Sequence, residues 1–165
     1  MRYNGTTIRE MRTTSGDIKV ERKAESDEDF LALVRLLDVE LAERDGEEHG
    51  FYAQFNKPVG LGGVAVAYLD SEAVGCGAFK RYENGVAEIK RMFVRPEARG
   101  NRIAASVLRE LEAWAAESGF RECILETGHK QPEAIALYTR EGYHVIANYG
   151  QYAGVANSVC MRKVL

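Results

Sequence analysis

Lys90-Arg91-Met92-Phe93-Val94-Arg95-Pro96-Glu97-Ala98-Arg99-Gly100-Asn101-Arg102-Ile103-Ala104 carries a strand into a proline turn and then into a long helix. Ala87 to Val94 reads as extended chain, and Pro96 stops it because proline lacks the N–H that a sheet ladder uses. Beyond the turn, Arg99 to Ser118 sets Ile103, Val107, Leu108, Leu111 and Ala115 along one stripe and ends at Gly119, the pattern of an amphipathic helix with one buried face. A helix start exposes unpaired N–H groups and a partial positive charge, so this junction suits an anion such as a pyrophosphate. Gly100 allows a ligand close to the backbone, and Arg99 and Arg102 add charge-assisted donors.

Upstream, Asn84-Gly85 is the preferred two-residue turn for antiparallel strands because both positions tolerate positive φ. It folds Ala87 to Val94 back on Val74 to Lys80. Val64 to Leu69 precedes these, separated by the turn-like Asp70-Ser71-Glu72. Ile18 to Arg22 alternates like a strand. Ser26-x-x-Asp29 then resembles a capping box before Phe30, Leu33, Val34, Leu37 and Leu41 at helical spacing. Asp45-Gly46 ends that helix, and His49 to Asn56 reads as a short second one closed by Pro58. Downstream, Glu122 to Glu126 is a short strand, and Pro132 opens a helix through Tyr138 that Gly142 closes. Tyr143 to Asn148 and Ser158 to Val164 are strands around the loop Tyr149 to Gly154. Residues 1–16 form either a polar arm or one edge strand, and residues 17–165 a single domain. The order of elements predicts an α/β fold: a mixed, mostly antiparallel sheet of about six or seven strands with helices on both faces, and not a doubly wound sheet.

Two segments then carry a resemblance. Arg99-Gly100-Asn101-Arg102-Ile103-Ala104 resembles motif A of the GNAT superfamily of acetyl-CoA-dependent N-acetyltransferases, Arg/Gln-x-x-Gly-x-Gly/Ala, with Arg102 in place of the middle glycine. Gln131-Pro132-Glu133-Ala134-Ile135-Ala136-Leu137-Tyr138, followed by Glu141-Gly142-Tyr143, is similar to motif B, with Gln131 in place of the usual Asn. The resemblance covers roughly residues 18–165. It implies acetyl-CoA as cosubstrate and direct transfer of an acetyl group to a primary amine in a ternary complex. By the same resemblance the strand ending at Val94 splays from Cys123 to Glu126. Backbone N–H groups of Met92, Phe93 and Val94 then serve the pantetheine and the acetyl oxygen. Arg99, Gly100, Asn101, Arg102, Ile103, Ala104, Gln131 and Tyr138 complete the cofactor set.

Acetyl transfer needs a neutral amine, a stabilised oxyanion and a proton for the departing thiolate. Tyr138 is the candidate general acid, because a phenol's pKa of about 10 lies close enough to a thiol's of about 8.5 to share a proton. The bland alternative is an aromatic packed into the core. Glu88 is the candidate base, with Glu126 on the neighbouring strand as substitute, or a water that one of them orders. Asp38, Glu40, Glu43, Asp45, Glu47 and Glu48 are either a field that steers a cationic amine or a solvated helix face. Lys90 and Arg91 instead fit an acceptor that carries a carboxylate. Tyr149 and Tyr152 line the cleft or pack their loop.

Of 165 residues 45% are hydrophobic, and the formal net charge of −3 argues against a nucleic-acid partner, which needs clustered positive charge. Cys76, Cys123 and Cys160 are odd in number and far apart, which predicts buried thiols. His49, His129 and His144 show no zinc-like spacing with them, so no metal is expected. The absence of a basic-then-apolar leader or a long apolar run predicts a cytoplasmic protein without a membrane partner. The compact chain favours a small-molecule amine or amino acid as acceptor. A protein lysine or N-terminus, or a non-catalytic acyl-CoA sensor, are the alternatives, and a homodimer through the last strands is what family resemblance implies.

Overall fold

The computed structural model describes residues 16–56 and 60–165. The predicted arm and Pro58 lie outside the described residues. Seven strands form one sheet in the order β1-β2-β3-β4-β5-β7-β6. They are β1 (Ile18–Lys23), β2 (Gly63–Leu69), β3 (Glu72–Glu83), β4 (Val86–Val94), β5 (Glu122–Gly128), β6 (His144–Ile146) and β7 (Ser158–Val164). The helices are α1 (Glu28–Asp45), α2 (His49–Ala53), α3 (Ile103–Glu117) and α4 (Pro132–Arg140). Only β4 and β5 pair in parallel; every other neighbouring pair is antiparallel.

The alternation of β2 decides which helix lies where. Val64 and Val66 meet Phe30, Leu33, Val34 and Leu37 of α1 on one face. Ala65 and Ala67 turn to the other face, toward Val107, Leu108 and Leu111 of α3. The helices therefore cover both faces, as the pattern predicts. Cys76, Cys123 and Cys160 are buried free thiols. Among the described residues no helix is long and apolar enough to cross a membrane.

Several local readings are corrected. The first helix is capped by Asp27, whose carboxylate accepts from the Phe30 N–H at 3.0 Å, and not by Ser26. At the β3–β4 hairpin Gly85 alone takes positive φ (79°), and a register shift between Arg81 and Glu83 absorbs the difference. Glu72 belongs to β3, so Asp70 and Ser71, at φ 50° and 69°, make the preceding turn. The long helix begins at Ile103 rather than Arg99, because Arg102 sits at φ 60°, outside helical space. β5 runs on to Gly128, paired with β7. β6 spans only His144–Ile146. The Asn148 side chain leaves the ladder to donate to the carbonyls of Val155 and Ser158 at 3.0 and 3.1 Å, closing the loop that holds a short 3₁₀ turn, Gly150–Tyr152.

One irregularity opens the middle of the sheet. Ala78 pairs with Lys90 and Cys76 with Phe93, so Gly77 alone faces Arg91 and Met92, with Arg91 at φ 59°. β4 and β5 pair only over Val86↔Glu122, Ala87↔Cys123 and Glu88↔Ile124. Beyond Glu88 each strand keeps only its outer partner, β3 or β7, and a gap opens between them.

Candidate active site

The gap leads into an open cleft of about 700 Å³. Its lining includes Met92, Phe93 and Val94 of β4, Arg99, Gly100 and Arg102 of the turn, Ile103 and Ala104 of α3, and Gln131 and Tyr138 flanking and within α4. Asn101 is the one predicted cofactor residue outside this lining. Its amide donates to the Ala98 carbonyl at 2.9 Å and braces the turn instead. Gly100, at φ 86°, has open space where a Cβ would stand. Arg102 adopts the left-handed conformation that a glycine holds without penalty and that costs another L-residue roughly 1–2 kcal/mol. Its carbonyl accepts from the N–H and Oγ of Ser106, which fixes the first turn of α3.

Arg99 lies along the cleft wall. Its Nε donates to the Val94 carbonyl at 3.0 Å, its guanidinium stands 5.9 Å over the Phe93 ring, and its Nη2 meets Glu40 at 2.7 Å. Glu40 also pairs with Arg44, and Arg44 with Glu133, so ion pairs join α1 to both the turn and α4. Such partly exposed pairs are individually weak, which leaves Arg99 able to exchange Glu40 for another anion.

Behind the cleft lies a smaller chamber of about 110 Å³. Leu37, Leu41, Met92, Gln131, Ala134 and Tyr138 line both spaces and so form the partition. Tyr138 is buried, and burial raises its phenol pKa, so it stays protonated. The chamber's polar wall includes Asp45, Tyr52, Glu88, Lys90, Arg91, Glu126 and Tyr152. Glu88, on the last β4 residue paired with β5, is 2% exposed. It accepts from Tyr149 Oη at 2.6 Å and lies 3.7 and 3.8 Å from the ammonium groups of Lys80 and Lys90. Lys90 donates to the Phe55 carbonyl at 2.7 Å, and burial lowers its pKa. Burial pushes the Glu126 carboxyl up to about 8; the nearby Lys90 charge opposes this, while Asp45 and Glu88 add to it. The two carboxylates proposed from sequence thus share one chamber, Glu88 enclosed by partners and Glu126 much less so.

Of the acidic run that the sequence offered as a steering field or a solvated face, Asp45 is the member that lines this wall. It closes α1, is 6% exposed, and burial raises its pKa. Tyr52 was missed in the sequence reading, and only the fold of α2 back toward β7, where its Oη meets Ser158 Oγ at 3.0 Å, reveals it. Arg91, a candidate for binding a substrate carboxylate, lines the chamber, but its Nη2 is bonded to Asp38 and the Val34 carbonyl under α1, while its Nε is buried without a partner. Among the described residues no group of three His, Cys, Asp or Glu side chains is arranged to hold a metal ion.

Glu126 makes a testable contribution to stability. Its unfolded pKa is 4.5 and its folded pKa about 8, so between these values the folded state holds a proton that the unfolded state has lost. The stability from that proton is complete below about pH 4.5 and disappears as pH climbs through 8, with a slope of at most about 1.4 kcal/mol per pH unit. Glu126→Gln carries no such proton, so its denaturation midpoint should fall less than that of wild type between pH 5 and 8. Parallel pH profiles for the two proteins would show that Glu126 is an ordinary solvated carboxylate.

Comparison with known proteins agrees with this geometry. A family model described as the Acetyltransferase (GNAT) family matches residues 30–143. The chain is 40% identical over 101 residues to a protein of Azospirillum brasilense named IAA acetyltransferase, covering 61% of this chain and 66% of that one. The chain spans between half and two thirds of the length of the curated relatives it matches. Among solved structures, a Klebsiella pneumoniae protein described as an acyl-CoA N-acyltransferase superposes with a TM-score of 0.76 at 33% identity, over 90% of this chain and 97% of that one. The PaiA N-acetyltransferase of Thermoplasma acidophilum, solved with coenzyme A, shares the fold with a TM-score of 0.67 at 18% identity, over 90% of this chain and 99% of that one.

Proposed function

Because this chain belongs to the Acetyltransferase (GNAT) family, we propose that it moves an acetyl group from acetyl-CoA directly to the primary amine of a small molecule, with both substrates bound at once. The observation that carries this reading is the position of Tyr138 on the partition between a cofactor-sized cleft and a small acidic chamber. In an antiparallel pair every second residue turns its N–H away from its partner, and beyond Glu88 no β5 backbone receives those of β4. Since the Arg95 N–H bonds the Val74 carbonyl of β3, alternation turns Phe93 toward β3 as well and leaves the N–H groups of Met92 and Val94 to bind the pantetheine arm and the acetyl oxygen. Arg99, Gly100, Arg102, Ile103 and Ala104 would hold the pyrophosphate at the start of α3, with Gln131 on the cofactor arm and Asn101 bracing the turn.

The reaction then divides between the two spaces. The amine in the chamber gives up its ammonium proton and its nitrogen attacks the thioester carbonyl, whose oxygen takes the negative charge. The intermediate collapses with cleavage of the C–S bond; the sulfur takes a proton from Tyr138, and the proton shed by the now cationic nitrogen restores the phenol, leaving a neutral amide and a free thiol. Glu126 and Glu88 are the proton acceptors within the chamber. Glu126 is the better matched in its ionised form, which gains ground as pH approaches 8, since its pKa of about 8 is closer to that of an alkylammonium than an ordinary carboxylate's. The chamber of about 110 Å³ supports a small acceptor, in keeping with the relative named IAA acetyltransferase.

Calorimetric titration with acetyl-CoA tests the cofactor half of the reading. Wild type should bind, and Arg99→Glu should bind about tenfold more weakly, the effect of one charge-assisted contact. An assay of thiol release with a panel of amines tests the chemistry. A wild-type protein that fails to bind acetyl-CoA would overturn the reading; binding without thiol release would favour a sensing role.

A further inference from the structure

Resting on the acetyltransferase reading, we propose that the acceptor is a small diamine, whose reacting nitrogen faces Tyr138 and whose second, protonated nitrogen is held by Asp45. The charges around the chamber point this way once each is assigned its partner. Lys90 is occupied by the Phe55 carbonyl and Glu88, and Arg91 by Asp38 and the Val34 carbonyl. Both charges are already matched by carboxylates, Lys90 by Glu88 and Arg91 by Asp38, which weighs against the amino-acid acceptor that these residues favoured in the sequence, although Arg91 Nε lies buried without a partner. Glu88 is already matched by Lys80, Lys90 and the Tyr149 hydroxyl.

Asp45 differs from all of these. It lines the chamber, is 6% exposed, and among the described residues has no hydrogen bond or ion pair. His49 and Lys130 lie near enough to temper its charge without bonding it, and His49 Nδ1 is itself buried with no partner. A largely buried carboxylate with no bonded partner is costly, so a cation placed beside Asp45 would offset part of that cost. Glu126, also without an ion-pair partner among the described residues, serves the reacting amine, which leaves Asp45 for a second positive charge. An ammonium suits it: three N–H donors for a carboxylate and its neighbours, with the rings of Tyr52 and Tyr152 in the same wall to favour a cation.

The test uses matched acceptors: diamines of three, four and five carbons, the monoamine of each length, and the ω-amino acid of each length. With acetyl-CoA saturating, kcat/KM from thiol release should be at least about tenfold higher for the best diamine than for its monoamine, and lowest for the ω-amino acid. In Asp45→Asn the diamine-to-monoamine ratio should collapse to about two or less. Because no described contact depends on the Asp45 carboxylate, this variant should match or exceed wild type in thermal stability, so a lost ratio is not a lost fold. Diamine binding to the CoA-saturated protein, read by calorimetry, should likewise weaken about tenfold in Asp45→Asn. Equal kcat/KM for diamine and monoamine, a preference for the ω-amino acid, or a ratio unchanged by Asp45→Asn would overturn the inference and leave acetyl transfer standing. Asp45-dependent diamine binding with no thiol release would do the reverse.

Discussion

Tyr138→Phe should lower kcat for acetyl transfer about a hundredfold or more and leave the KM for acetyl-CoA within about twofold of wild type. A positioned general acid contributes about 10²- to 10⁴-fold, and the thiolate needs its proton only as the C–S bond breaks. Tyr138 lies in the partition common to the cleft and the chamber, buried against the edge of Tyr143 with ring centroids 5.8 Å apart. Phenylalanine keeps that packing and removes only the hydroxyl, so the loss would be chemical. Burial holds the phenol protonated through the working pH range, which keeps the donor available. A kcat within about threefold of wild type, with normal folding, would reassign Tyr138 to core packing and give the thiolate's proton to water.

The pattern that made Tyr138 legible was helical and local: Pro132 starts α4, the tyrosine follows two turns later, and Gly142 at φ 95° turns the chain away. Local patterns of this kind also located the turn before α3. The departure from the glycine motif had a physical meaning as well. Arg102 takes the same left-handed backbone that glycine would provide, so the motif's geometry is kept at a conformational cost. The acidic chamber was much harder to read. Asp45 sits in a run with Glu40, Glu43, Glu47 and Glu48 that reads as a whole, either as a steering field or as a solvated face, with nothing to single out one member. Its burial follows only when Gly46, at φ 55°, and α2 fold the chain over the open end of the gap. Asp38, a few residues earlier, turns instead to Arg91. A charge's environment is set by what packs on it from elsewhere in the chain, and one-dimensional spacing carries little of that.

The gap itself was readable from family resemblance, and the bulge beside it stands opposite a residue with no side chain. Gly77 is opposite the two bulged residues, and a Cβ there would stand 2.4 Å from Met92 Sδ, 2.9 Å from Leu111 Cδ1 and 3.0 Å from Val107 Cγ1. Gly77→Val should therefore lower stability by about 1–3 kcal/mol through overpacking, a fall in Tm of roughly 2–12 °C for a chain of this length. The same change should weaken acetyl-CoA binding beyond what stability accounts for, because Met92 is the nearest obstacle and forms part of both the cleft and the partition. α3 resists displacement, since Val107 and Leu111 are fully buried in the main core. The bulge on β4 is the softer side and should give first, narrowing the gap. Met92→Ala vacates the closest contact, so the double variant Gly77→Val/Met92→Ala should be more stable than the sum of the two single changes, with a coupling of about 0.5–3 kcal/mol. Strict additivity of the two changes would mean that α3, not the bulge, takes up the strain, and that the gap between β4 and β5 stays open without a glycine at position 77.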